Sequence, residues 1–280
     1  MIYPNVHILI LNWNGKDYLY DCVKSVLNSN YQNFKVTVID NGSSDNSIDL
    51  VKNNLDHVDF IYIDDNLGYS KGYNYAFKEL INSSFESEYF LLLNNDTTIK
   101  DDTISNLIIG THTFGHDNIF GPKIINNENN KIWYGGGVIN KFTKLAGHIG
   151  LNKEDKTTCL KTMKTDFVSG CSMLIPKKMI NNLGGFNELF DFYYEDVDLC
   201  LRARHKGFSC YFISDSIVYH KISSSMGGRY NILKLWYRFK STIKYLYLNN
   251  NFLFFIILII INFLLLPFIV ISKSIRLLIK

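Results

Sequence analysis

VHILILNWNGKDYLYDCVKSVLNSNYQNFKVTVIDNGSSD, residues 6–45, is the stretch that decides the fold. Its two short apolar runs, 6–11 and 36–39, have the character of strands buried on both faces. Between them Leu19, Cys22, Val23, Val26 and Leu27 recur at the i, i+3, i+4, i+7, i+8 spacing of an amphipathic helix. A strand, a helix and a strand in that order predict a parallel pair. The pattern continues outward: runs at 60–63 and 90–93 predict two further strands, a second helix is expected after Asp45, which is placed to cap it, and a third over 70–81.

Each of these strands ends in a polar cluster: Asn12-Trp13-Asn14-Gly15, Asp40-Asn41-Gly42-Ser43-Ser44-Asp45, Asp64-Asp65-Asn66-Leu67-Gly68 and Asn94-Asn95-Asp96. Asn, Asp and Gly make turns anywhere, but ligands of open α/β sheets bind beyond the carboxyl ends of the strands, and four clusters in register predict one common site. From residue 105 to 228 the pattern is less regular and richer in Gly and aromatics, with loops marked by Gly135-Gly136-Gly137, Gly184-Gly185 and Gly227-Gly228 and a short strand over 172–176. This stretch is expected to continue the sheet and build the second half of a cleft.

Composition narrows the function classes. The 280 residues are 47% hydrophobic and 20% charged with a formal net charge of +3, which excludes a disordered chain and a polybasic nucleic-acid arm. Five cysteines without a C-x-x-C pair support neither a disulfide framework nor a zinc ribbon and fit a reducing compartment. The N-terminal run lacks a basic n-region and a long apolar h-region, so the body of the chain is expected to stay in the cytoplasm.

Three constellations carry chemistry. Asp96, with Asn94 and Asn95 beside it at a strand end, offers the oxygen ligands a hard divalent cation takes together with phosphate oxygens, although a helix cap over 97–107 is the plainer alternative. Asp40 and Asn41 are placed to accept from a base or ribose. The loop Asn66 to Asn74, with Gly68 and Gly72, runs into a helix start that favours anions. The densest signal is Phe192-Tyr193-Tyr194-Glu195-Asp196-Val197-Asp198, acids preceded by aromatics, where an apolar wall raises a carboxyl toward general-base duty and the rings offer a platform for a sugar face. The bland alternative is an acidic helix start paired with Arg202 and Arg204.

In combination and order, Asn12-Trp13-Asn14-Gly15, Asp40 to Asp45, Asn66 to Asn74, Leu93 to Asp96, Val168-Ser169-Gly170 and Glu195 to Arg202 resemble the inverting glycosyltransferases of family 2, rhamnosyltransferase-like members in particular, over residues 5–228. The resemblance implies a GT-A, Rossmann-like α/β fold with a mostly parallel central sheet flanked by helices, residues 1–105 forming the nucleotide-sugar half and 106–228 the acceptor half. It implies a nucleotide-sugar donor, favoured as dTDP-L-rhamnose with a UDP-hexose as the alternative, a glycan or lipid-linked acceptor, a Mg²⁺ or Mn²⁺ ion, and no nucleic-acid partner. Carried across, Asn12, Asp40, Asn41, Asn66, Gly68, Gly72, Asn74, Asn94 and Asn95 line the donor pocket, Asp96 and His220 hold the metal, and Asp196 is the catalytic base with Glu195 as runner-up. Asn94 departs from the family's D-x-D motif by replacing its first acid. A nucleotidyltransferase would carry a Gly-rich, basic loop where Asn12 to Gly15 stands; a non-catalytic tethered sugar-binding protein would not need the acids.

The C-terminal segment 229–280 reads differently. Residues 252–271 carry no charge and, as a helix, would span about 30 Å, the thickness of a bilayer core. Basic residues flank them on both sides, and Leu233, Trp236, Tyr237, Ile243 and Leu246 precede them in a basic amphipathic pattern. A membrane-associated helix at the cytoplasmic face of the cell membrane is expected.

Overall fold

The computed structural model describes residues 3–81, 86–155, 160–221, 232–250 and 252–262. The first half follows the predicted alternation: β1 (Val6–Asn12), α1 (Leu19–Leu27), β2 (Phe34–Asn41), α2 (Ser47–Asn54), β3 (Val58–Ile63), α3 (Gly68–Leu80) and β4 (Tyr89–Asn94). The N-cap of α2 is Asn46 and not Asp45, which stands one residue earlier with its Oδ1 accepting from Ser47 N–H at 3.1 Å. Strands β3, β2, β1 and β4 are neighbours in that order and all parallel. Ile8, Leu9 and Ile10 of β1 are fully buried, as are Leu19, Cys22, Val23 and Val26 of the α1 stripe that packs toward the sheet.

The second half corrects the expectation of a mostly parallel sheet. It comprises β5 (Thr97–Ile99), α4 (Thr103–Phe114), β6 (Ile119–Asn126), β7 (Ile132–Tyr134), β8 (Gly137–Ile139), β9 (Ala146–His148), β10 (Met163–Thr165), β11 (Ser172–Pro176), α5 (Lys177–Leu183), α6 (Glu195–His205) and β12 (Cys210–His220). The sheet is mixed: β11 runs antiparallel to both β4 and β6, while β12 is parallel to β6. Short strands joined through loops can reverse direction, which the long crossover of a parallel connection forbids. Residues 97–107 do not make one helix; β5 pairs with β12 before α4 begins.

Beyond residue 228, α7 (Ile232–Leu248) packs on the body of the fold and buries Tyr245 and Leu246, and residues 252–262 are helical. Among the described residues no helix is long and apolar enough to cross a membrane. Residues 263–271 of the apolar run and the pair Gly227-Gly228 lie outside the described residues.

His7 is buried in the core, and His148 is half-buried against that core. His7 Nε2 lies 2.7 Å from Thr37 Oγ1, and His148 Nδ1 lies 3.0 Å from Trp133 O among the rings of Trp133, Tyr134 and Phe167. Burial, foremost, pushes each down to about 4. The unfolded chain therefore takes up these protons near the usual 6.5 and the folded chain only near 4, so the contribution to stability is complete above that range and is lost as pH falls through it. For His7 it is on the order of 3 kcal/mol. Raised carboxyls in the site slope the other way, so the measurement is a difference: urea melts of the native chain and His7→Gln at pH 7.5 and pH 4.5 should show the variant losing less stability on acidification. Equal losses in both would remove His7 as an acid-sensitive element.

Candidate active site

Strand register gathers the polar clusters. Asn12 lies opposite Asp40, Asn41 opposite Ile63, and Leu11 opposite Asn94, so the ends of β1 to β4 form one edge. Because β11 is antiparallel to β4, with Ser172 opposite Leu93, Gly170 and Cys171 enter at that same edge. Strand β12 shares the sense of β4 through β6 and ends at His220, opposite Thr97. The topology thus delivers His220 beside Asp96.

Several predicted donor-pocket residues turn inward. Asn12 is fully buried: Nδ2 donates to Ser43 Oγ at 3.1 Å and Ser47 Oγ at 2.9 Å, and Oδ1 accepts from Asn95 Nδ2 at 2.7 Å. A Cβ on Gly15 would stand 2.2 Å from that Oδ1, so only glycine leaves room for the amide pair. Asn41 donates to Asn66 Oδ1 at 3.0 Å and to Gly68 O, and accepts from Leu67 N–H at 3.0 Å. Asn74 binds both N–H and O of Phe186 and donates to Glu188. Gly72 lets α3 approach Leu11, and Gly68 adopts φ +78° in the turn into α3. These five hold the strand-end edge together with their own bonds or backbone instead of offering free polar groups. Asp40, Asn66, Asn94 and Asn95 stay partly or fully exposed along the edge, and Trp13 is exposed beside them.

Asp96 and His220 are both buried, with Oδ1 and Nε2 3.2 Å apart, and the imidazole lies edge-on to Trp133 at 5.0 Å. Burial opposes charge on His220, but Cys171 and the Asp96 carboxylate outweigh it and hold the imidazole well above the usual histidine range. The carboxylate, and the imidazole once it gives up the Nε2 proton, are ligand types that Mg²⁺ or Mn²⁺ takes, with room in the shell for further oxygens. Among the described residues no group of three or more His, Cys, Asp or Glu stands together as a metal site. The Asp96–His220 pair therefore fits a divalent ion only as a partial shell of two ligands.

Glu195 opens α6. Asp196 Oδ2 accepts from Gly170 N–H at 2.9 Å and Oδ1 from Val197 N–H at 2.8 Å. Burial pushes Asp196 upward against those two donors. Glu195 is pushed up to about 8, first by burial and then by Asp196, and its Oε2 is buried with no hydrogen-bond partner. Asp198 is instead bound to Arg202 Nε at 2.7 Å, and Arg204 reaches Asp166 at 3.0 Å. The helix-start pairing with arginine therefore holds for Asp198 alone. Tyr193 and Tyr194, just before Glu195, both have positive φ, 68° and 70°, a conformation that costs a non-glycine residue energy and persists only under restraint. Of the three aromatics, Tyr193 is exposed, Tyr194 is buried against Tyr245 and Phe192 packs on Tyr237.

The pattern of glycosyl transferase family 2 matches residues 7–184, from β1 to the end of α5. The chain belongs to glycosyl transferase family 2. Among its relatives, an uncharacterized glycosyltransferase of Rickettsia bellii is 26% identical over 81% of this chain and 31% of its own length. The low-salt glycan biosynthesis hexosyltransferase of Haloferax volcanii is 27% identical over 72% of this chain and 62% of its own. The chain thus spans less than two thirds of the length of either relative. The solved structure of GalNAc-T7 with UDP, GalNAc and Mn²⁺ shares the fold at a TM-score of 0.63 and 15% identity, over 78% of this chain and 44% of that one.

In this family 2 glycosyl transferase, residues not singled out in the sequence brace the acidic segment. Tyr69 Oη donates to Gly170 O at 2.6 Å, and a Cβ on Gly170 would stand 2.7 Å from Tyr69 Oη, so glycine lets the tyrosine and the Asp196 carboxylate both reach this backbone. Ser70 donates to Phe190 O from α3, and Ser241 of α7 donates to Phe192 O at 2.6 Å. The sequence of the 66–74 loop carries no signal that separates Tyr69 from its neighbours, and the amphipathic pattern around Ser241 does not reveal which loop its polar face meets.

Proposed function

We propose that the chain transfers a sugar from a nucleotide-diphosphate donor to a hydroxyl of a glycan or lipid-linked acceptor, with inversion at the anomeric carbon, at the cytoplasmic face of a membrane. The observation that carries the reading is the meeting of Asp96, His220 and the Glu195–Asp196 pair at one edge of a family 2 fold, with Cys171 beside His220 and Gly170 bound to Asp196.

Asp196 is the base in this reading. Two N–H donors favour its charged form, whereas Glu195, without a partner for Oε2, keeps its proton; environments that push two neighbouring carboxyls apart assign the roles. Asp196 takes the proton of the acceptor hydroxyl as that oxygen attacks, and Tyr193 offers its ring to the sugar. Asp96 and His220 would hold the divalent ion, which neutralises charge on the departing diphosphate when bound. The inward amides of Asn12 and Asn41 hold Asn95 and Asn66, and Ser43 N–H donates to Asp40 Oδ1 at 3.2 Å, so the edge offered to the nucleoside is kept in place.

For the donor, the sequence motifs favour dTDP-L-rhamnose by resemblance, whereas the hexosyltransferase relative and the UDP-bound neighbour favour a UDP-hexose. A donor that binds only the folded chain raises its melting temperature, by about 2.7 kcal/mol of stabilisation at a hundredfold excess over Kd. Thermal melts against dTDP-rhamnose, UDP-glucose, UDP-galactose and UDP-N-acetylhexosamines should single out one donor. No shift with any of them would overturn the donor reading.

Membrane association is supported by the outer face of α7, where Leu235, Trp236 and Phe239 are each 59% exposed, and by Phe252 and Leu253 beyond it. Apolar rings beside Arg238 and Lys240 suit the headgroup boundary of a bilayer.

A further inference from the structure

A cavity of about 350 Å³ lies at the end of α6 remote from Glu195 and Asp196, between the 140–145 turn joining β8 to β9 and the C-terminal end of α7. Lys141, Lys144, Arg204 and His205 line it against one carboxylate, Asp166. Asp166 is already engaged by Arg204 at 3.0 Å and by Ile139 N–H at 2.8 Å. Arg204 and His205 also occupy the last turn of α6, where they offset the negative end of the helix. The net attraction for an anion therefore comes from Lys141 and Lys144.

The turn carrying these lysines is held by its own bonds. Asn140 Oδ1 accepts from the N–H groups of Phe142 and Thr143 at 2.9 Å, and Lys144 N–H donates to Asn140 O at 2.9 Å. At its tip Phe142 is 81% exposed. Asn262 Nδ2 donates to Thr143 O at 3.3 Å, which joins the turn to the helical residues 252–262, where Phe252, Leu253 and Ile260 are all more than half exposed. Cations at a cavity mouth, an aromatic tip and an apolar helix side by side complement one kind of surface: a bilayer with anionic headgroups.

We propose that this cavity receives the phosphate headgroup of an anionic membrane lipid, with Lys141 and Lys144 as its principal cations and Phe142 inserted beside it. The site rests on the membrane association proposed above and adds headgroup selectivity to it. A lysine near an anionic surface is worth about five-fold in partitioning, so the pair is worth roughly thirty-fold.

The test is flotation of the full chain with phosphatidylcholine vesicles with and without phosphatidylglycerol. The native chain should bind the mixed vesicles more tightly, the Lys141→Gln/Lys144→Gln variant should lose that preference while keeping its phosphatidylcholine binding, and Lys141→Arg/Lys144→Arg should retain it. Phe142→Ser should weaken binding to both compositions. Equal binding of the native chain to both vesicles, or an undiminished preference in the glutamine variant, overturns the headgroup site and leaves apolar attachment standing. Binding to neither overturns the membrane reading itself. If inorganic phosphate abolishes the preference and raises the melting temperature of the native chain but not of the glutamine variant, the site serves a soluble phosphate and the lipid assignment falls.

Discussion

Asp196→Asn should lower kcat by about 10²–10⁴-fold while donor affinity stays within a factor of two or three, since the usual worth of general-base assistance is lost and the shape is kept. The amide still accepts one N–H through its oxygen, so the contact with Gly170 or Val197 survives in part. Glu195→Gln should cost much less, because that carboxyl already holds its proton near neutral pH. It should also flatten the pH dependence of stability: with the folded value near 8, Glu195 favours the folded chain at acid pH and loses that contribution as pH rises from the unfolded value of 4.5 toward 8. Single-turnover rates with the donor found in the thermal screen, beside donor titrations, separate the outcomes. Near-normal turnover in Asp196→Asn with a dead Glu195→Gln moves the base one residue back. Full turnover in both makes the pair structural, and an equal loss of donor affinity makes Asp196 a donor-positioning group.

The second large effect concerns Asp96. Asp96→Ala should lower transfer by at least about 10²-fold, as should EDTA on the native chain, with Mg²⁺ or Mn²⁺ restoring only the latter. Mn²⁺ binding followed by electron paramagnetic resonance gives a readout independent of turnover: the native chain with donor diphosphate should immobilise the ion and Asp96→Ala should not. Removing the carboxylate also leaves His220 buried without the charge that holds its proton, so a melt of the variant establishes that the loss is not unfolding. Because Asn94 stands where the family motif has an acid, Asn94→Asp should tighten Mn²⁺ binding. Full transfer in chelator would remove the ion from the reaction.

Local order was legible in the sequence because its signals are short-ranged. The apolar runs of β1 to β4, the stripe Leu19, Cys22, Val23, Val26 and the polar clusters that close each strand rest on unbroken apolar stretches, on a period of 3.6 residues and on turn chemistry, which a few neighbouring residues carry in full. From them follow the parallel first half and the edge on which the site forms. The inward turn of Asn12, Asn41 and Asn74 was not legible, since an asparagine at a strand end or in the first turns of a helix looks alike whether its amide meets a ligand or the serines and backbone of a neighbouring loop.

Tertiary structure alone decided the rest. The reversal of β11 follows from which strands it lies between, and that reversal brings Gly170 to Asp196. The pairing of β12 with β5 and β6 brings His220 to Asp96 across more than a hundred residues of chain, and the docking of α7 makes the inner face of that helix a brace for the strained Tyr193–Tyr194 step. No local period encodes such meetings. They are fixed when distant apolar faces bury one another, and the polar groups carried on those faces are then held wherever the packing leaves them.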